Sequence, residues 1–119
     1  MYTLSLIFIG LVAFLHFYFM ILEMFYWTKP KGQKAFGLTP EFAEESKVLG
    51  ANQGLYNGFL SAGLVWSIID PNYGTEIAIF FLSCVIIAGI YGAYSTKITK
   101  LFYIQSVPAI IAILFTLFN

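Results

Sequence analysis

Apolar side chains run along this chain in four long stretches, and the polar positions gather between them. The stretches cover about residues 2–27, 40–69, 76–94 and 99–118, the first containing His16 and Glu23. Each holds a core of ~20 residues with few or no charges, the signature of a helix that crosses a bilayer. The strict alternation of a membrane barrel is absent. The pattern predicts an all-α protein, a four-helix transmembrane bundle built as a single domain over residues 1–119.

Local chemistry marks the ends of these helices. Pro30 and Gly32 are expected to stop the first. Leu38-Thr39-Pro40-Glu41 reads as a helix start. Thr39 caps free amides, Pro40 suits the first helical position, and Glu41 and Glu44 suit the positive end of the helix dipole. Asp70-Pro71-Asn72-Tyr73-Gly74 is a turn sequence between the second and third stretches. Pro108 lies inside the fourth, where membrane helices tolerate proline with a kink.

Composition narrows the class further. Of 119 residues, 60% are hydrophobic and only 10% charged, against about 25% charged in a soluble domain. An aromatic content of 19% excludes disorder. Little chain remains for a separate soluble catalytic domain. Net charge is zero and there is no arginine, so no nucleic-acid partner is expected. The single cysteine, Cys84, cannot form an intramolecular disulfide. Met1, Tyr2 and Thr3 supply no basic n-region, so no cleaved signal is expected. All six lysines (Lys29, Lys31, Lys34, Lys47, Lys97 and Lys100) fall on one side of the predicted bundle. By the positive-inside rule that side is cytoplasmic, with both termini outside. The expected location is a bacterial inner membrane, crossed several times.

A strongly polar side chain in hydrocarbon costs several kcal/mol unless it finds a partner, so such residues tend to face the bundle interior and mark function. His16 and Glu23 lie seven apart, nearly two turns, on one stripe with Met20 and roughly Trp27. Asn52, Gln53, Tyr56 and Asn57 form a wide polar face on the second helix, extended by Glu45 seven residues earlier. Tyr91 and Gln105 come from the third and fourth. Counted inward at ~1.5 Å per residue, Glu23 matches Glu45, Tyr91 and Gln105 in depth, and His16 matches Asn52 and Gln53. Two polar layers then stack into a cavity that opens to the cytoplasm. The plain structural alternative is that the amides are interhelical glue.

Gly50-x-x-x-Gly54-x-x-x-Gly58 forms a small-residue stripe that lets another helix approach closely. It serves packing within the bundle or a homodimer. A metal site built from His16, Glu23 and Glu45 is disfavoured. Residues seven apart stand ~10 Å apart along a helix axis, and no His-x-x-His or Glu-x-x-His pair occurs. No metal or cofactor is expected.

Four strings together carry a resemblance: Glu23-Met24-Phe25-x-Trp27-x-x-Pro30, Phe36-Gly37-Leu38-Thr39-Pro40-Glu41, Ala51-Asn52-Gln53-Gly54-x-Tyr56-Asn57-Gly58 and Ala88-Gly89-Ile90-Tyr91-Gly92. They resemble the bacterial integral membrane family called domain of unknown function 1304, over nearly the whole chain. The resemblance implies a four-span inner-membrane protein and no established activity or catalytic residues.

The leading expectation is recognition of a small or lipid-like molecule in the polar pocket. Glu23 and His16 are the acid–base candidates, and Glu45, Asn52, Gln53, Tyr56, Asn57, Tyr91 and Gln105 the binding candidates. Whether the chain is an enzyme stays open. The alternatives are a small proton-coupled transporter with Glu23 as the proton site, and a structural or partner-binding protein without chemistry.

Overall fold

The computed structural model describes residues 3–118. Among these the regular structure is helical: α1 (Thr3–Phe25), α2 (Pro30–Phe36), α3 (Pro40–Ile69), α4 (Gly74–Thr96), a π-helical segment (Phe102–Ser106) and α5 (Val107–Leu117). Two of the helices, α1 and α4, are long and apolar enough to cross a membrane. Phe102–Leu117 is also apolar but shorter. Helix α3 is long, but its first turns carry Glu41, Glu44, Glu45 and Lys47, followed by Asn52, Gln53 and Asn57.

The boundaries differ from the sequence pattern in three places. Helix α1 ends at Phe25, and Pro30 does not stop it but opens α2. Lys29 is extended there (φ −99°, ψ 158°), the conformation favoured before proline, and Pro30 takes the first helical position. Gly37 closes α2 in the left-handed region at φ 65°, which a side chain would strain. The last stretch is not one α-helix. Val107 N–H bonds back to Phe102 carbonyl across the π-helical segment, directly before Pro108 removes a donor from the ladder. The other markers hold. Thr39 Oγ1 accepts from Phe42 N–H at 3.1 Å, capping α3. Asp70 Oδ1 accepts from the N–H groups of Asn72 and Tyr73 at 2.9 and 2.7 Å, which shapes the turn into α4.

The chain divides into two compact units. One joins residues up to Phe14 with those from Leu60 onward. Its core is Ile9, Val12, Leu64, Leu82 and Val85, with Ala78, Ala109 and Ala112 where helices come close. Small residues govern the approach, because a missing side chain lets two helix backbones come close. Gly63 leaves room for the Phe81 ring and Gly89 for Ser106, positions a Cβ would occupy. Ser61 Oγ donates to Ala13 carbonyl at 2.8 Å, and Ser106 Oγ to Ile86 carbonyl at 2.9 Å.

The other unit is Leu15–Phe59: the second half of α1, all of α2 and the first twenty residues of α3. Here α1 and α3 pack antiparallel. The Gly50–Gly54–Gly58 stripe is covered within the chain. Gly50 faces the Trp27 ring, Gly54 faces Met24 and Glu23, and Gly58 faces the Met20 sulfur. The stripe expected to serve packing or a homodimer is therefore occupied by α1.

Candidate functional site

The α3 stripe that meets α1 runs Ser46, Gly50, Gln53 and Asn57, at spacings of four, three and four. That spacing keeps one face of a helix in line. The glycines bring the backbones together, and the flanking amides then reach across. Gln53 Nε2 donates to Glu23 Oε2 at 2.5 Å, and Asn57 Nδ2 donates to Glu23 Oε1 at 2.5 Å. Each carboxylate oxygen thus has its own donor, which satisfies a group that is only 1% exposed. Both partners are neutral amides.

A groove of about 430 Å³ lies beside this cluster. Glu23, Met24, Phe25, Trp27 and Thr28 line it from α1 and the turn that follows. Lys47, Val48, Ala51 and Asn52 line it from α3. The walls are mainly apolar, with a few polar groups, the usual make-up of a small-molecule site. Trp27 braces one end. Its Nε1 donates to Ser46 Oγ at 3.0 Å, Ser46 Oγ donates to Phe42 carbonyl at 2.6 Å, and its ring lies 5.2 Å from that of Phe36. The indole so ties the α1 end to both α2 and α3. Lys47 Nζ, at the rim, pairs with Glu44 at 2.6 Å. Exposed pairs of this kind contribute little stability.

The residues singled out from sequence divide clearly. Glu23, Gln53 and Asn57 are joined by direct hydrogen bonds. Asn52 lines the groove while its Nδ2 donates to Val48 carbonyl one turn back. His16 is fully buried, with its ring edge-on to Phe19 at 5.4 Å. It shares the Glu23 stripe but stands ~10 Å away along the axis. Glu45 is exposed, and Tyr56 is exposed with its ring against Phe59. Tyr91 and Gln105 belong to the other unit, Tyr91 exposed and Gln105 half-buried in the π-helical segment beside Gly89.

The sequence places Trp27 on the Glu23 stripe without marking it as a site residue, and Ser46 and Met24 are not among the residues it singles out. Ser46 carried a signal, seven residues before Gln53 on the same stripe. The sequence reading extended the polar face to Glu45 instead. One residue rotates a helix position by about 100°, which places Glu45 outside.

A family model described as "Protein of unknown function (DUF1304)" matches residues 10–117. The chain belongs to the DUF1304 family. It is also similar to "Uncharacterized protein YpaA" of Lactococcus lactis subsp. lactis (strain IL1403), 32% identical over 120 residues that span 99% of this chain and 100% of the relative. No solved structure matches it. The match includes Glu23, Gln53, Asn57 and the groove residues.

Proposed function

We propose that this DUF1304 protein is a four-span membrane protein that binds a small or lipid-like molecule at the Glu23 groove. Its lysine-bearing loops lie in the cytoplasm, both termini lie outside, and the membrane is the bacterial inner one. The observation that carries the binding reading is the Glu23 carboxylate, nearly fully buried and held by Gln53 and Asn57, at the wall of a groove of ligand size. Helix glue alone needs no acid. An ionisable group at such a position is a functional candidate by its cost.

The membrane reading draws support from the outer faces of the helices. On α1 the exposed residues include Leu4, Ile7, Leu11, Phe14 and Tyr18, at helical spacing along one side. Phe80 and Ile87 do the same on α4. Contiguous exposed apolar surface of this extent suits lipid, not water. The acid–base part of the reading narrows to Glu23, because His16 is nearly two turns away.

Native mass spectrometry of protein extracted in mild detergent tests the proposal, wild type beside Glu23→Gln. A discrete extra mass on wild type that the variant loses is expected. No retained mass on either protein would leave the polar cluster as helix glue. A C-terminal tag accessible from the cytoplasm would refute the orientation.

A second reading, proton-coupled transport, is favoured by the chemistry of the two amides. Each presents a donor nitrogen and an acceptor oxygen that exchange places by rotation. Both can therefore donate to the carboxylate, and when the acid is protonated one can turn to accept its O–H while the other still donates to the carbonyl oxygen. Proton movement driven by substrate in sealed vesicles, abolished by Glu23→Gln, would select this reading.

A further inference from the structure

We infer that the groove's ligand is an amphiphile bearing a protonated amine, with its ammonium group as the counter-ion of Glu23. The inference rests on the ligand-binding reading above and adds the charge class. It starts from an imbalance. The Glu23 carboxylate has two hydrogen-bond donors, and both are neutral. Hydrogen bonds from amides satisfy its lone pairs but leave its charge uncompensated. Among the described residues no lysine forms an ion pair with it, and Lys47, nearest along the groove, is directed to Glu44. A buried charge without a counter-charge is costly, and a ligand cation offsets part of that cost.

The surroundings suit the rest of such a molecule. Met24, Trp27, Val48 and Ala51 offer an apolar track for an alkyl or ring portion. The volume, about 430 Å³, falls within the range of small-molecule sites, roughly 300–1,000 Å³. An ammonium has three N–H donors, more than one carboxylate oxygen can accept. The amide oxygens of Asn52 and Gln53 can take the others. Gln53 is itself exposed, so turning its amide away from Glu23 disturbs no core packing and opens the carboxylate. Aromatic faces in the same unit already hold one ammonium. Lys31 Nζ stands 5.6 Å from the Tyr18 ring centre and 5.9 Å from that of Tyr26.

An amine of this kind has two sources, a free amphiphilic amine or a lipid with an amine headgroup. The test uses the full chain in mild detergent and three probes of one chain length: dodecylamine, dodecanol and dodecanoate. Binding is read by native mass spectrometry for wild type, Glu23→Gln and Ala51→Leu, the last narrowing the apolar track while leaving the acid in place. Wild type is expected to retain dodecylamine about tenfold better than dodecanol, the worth of one hydrogen bond to a charged group. Dodecanoate is expected not to bind. Glu23→Gln should erase the preference for the amine, and Ala51→Leu should lower retention of amine and alcohol together. Equal retention of amine and alcohol by wild type, or an undiminished preference in Glu23→Gln, overturns the inference. If none of the three binds while a mass from the membrane is retained, the amine class falls and the ligand-binding reading stands. If nothing at all is retained, both fall. Phosphatidylethanolamine against phosphatidylglycerol, added in the same format, separates the two sources. Preferential retention of the former assigns a lipid headgroup, and retention of dodecylamine alone assigns a free amine.

Discussion

Alanine at Gly54 and alanine at Gly58 should have opposite effects, though both glycines lie on the same α3 stripe. In an exposed helix interior, glycine to alanine gains about 1 kcal/mol of helix propensity. Packing decides whether that gain survives. At Gly58 a new Cβ would lie 2.6 Å from Met20 Sδ and 3.6 Å from its Cγ. The sulfur is near the far end of a flexible, unbranched side chain that readily takes another rotamer. Gly58→Ala should therefore be neutral or stabilising by up to about 1 kcal/mol. At Gly54 the new Cβ would lie 2.7 Å from Met24 Cγ, 3.0 Å from Glu23 Cβ and 3.2 Å from Met20 carbonyl oxygen. Glu23 Cβ and the Met20 carbonyl belong to, or adjoin, the α1 backbone and cannot rotate away. The helices must part by several tenths of an ångström, an overpacking cost of about 1–3 kcal/mol. Parting them also lengthens the two amide bonds to Glu23, each worth roughly 0.5–1.5 kcal/mol. After the propensity gain is subtracted, Gly54→Ala should destabilise by about 1–3 kcal/mol. Reversible unfolding by denaturing detergent, followed by circular dichroism, measures both variants against wild type. Equal effects at the two sites, or a Gly54→Ala protein more stable than wild type, would refute the packing argument.

Three smaller predictions rest on single contacts. Thr39→Ala removes the acceptor of the Phe42 amide and should cost about 1 kcal/mol, with faster hydrogen exchange at Phe42 than at mid-α3 positions. The backbone N–H groups of Tyr73 and Asn72, joined by Trp66 Nε1, hold the Asp70 carboxyl below its ordinary value. Its contribution to the α3–α4 turn is then full above the ordinary carboxylate range and lost as pH falls through the lowered value. Exchange protection of the Tyr73 amide should follow that course, and Asp70→Asn should flatten it. Trp27→Phe and Ser46→Ala each break the indole–hydroxyl bond, so the double variant should be no worse than the sum less about 0.5–1.5 kcal/mol of shared interaction. Strict additivity in a double-mutant cycle would mean that Trp27 acts by packing alone.

The Glu23 cluster was legible in the sequence because an apolar helix offers few polar positions to choose from. Between Thr3 and Phe25 the ionisable residues besides Tyr18 are His16 and Glu23, so depth and face had little freedom. On α3 the polar residues are many, and the rotation of the helix about its axis had to be known within one residue. The glycine stripe held that information. Gly50, Gly54 and Gly58 are where α1 lies closest, so the positions beside them, Ser46, Gln53 and Asn57, are the ones that reach it. Treating the stripe and the amide face as separate features led the polar face to Glu45, a rotation away. Pro30 and Pro108 were ambiguous for a different reason. A proline fits the first position of a helix as well as it ends one, and which occurs depends on the backbone just before it. Lys29 is extended, so Pro30 begins α2, whereas the residues before Pro108 stay helical, in a π turn closed by Val107 N–H on the Phe102 carbonyl. The buried acid follows from composition and spacing, but the groove beside it follows from where α1 stops. Helix α1 ends at Phe25, and Trp27 and Thr28 in the turn beyond it form that part of the groove wall, with the indole bonded to Ser46.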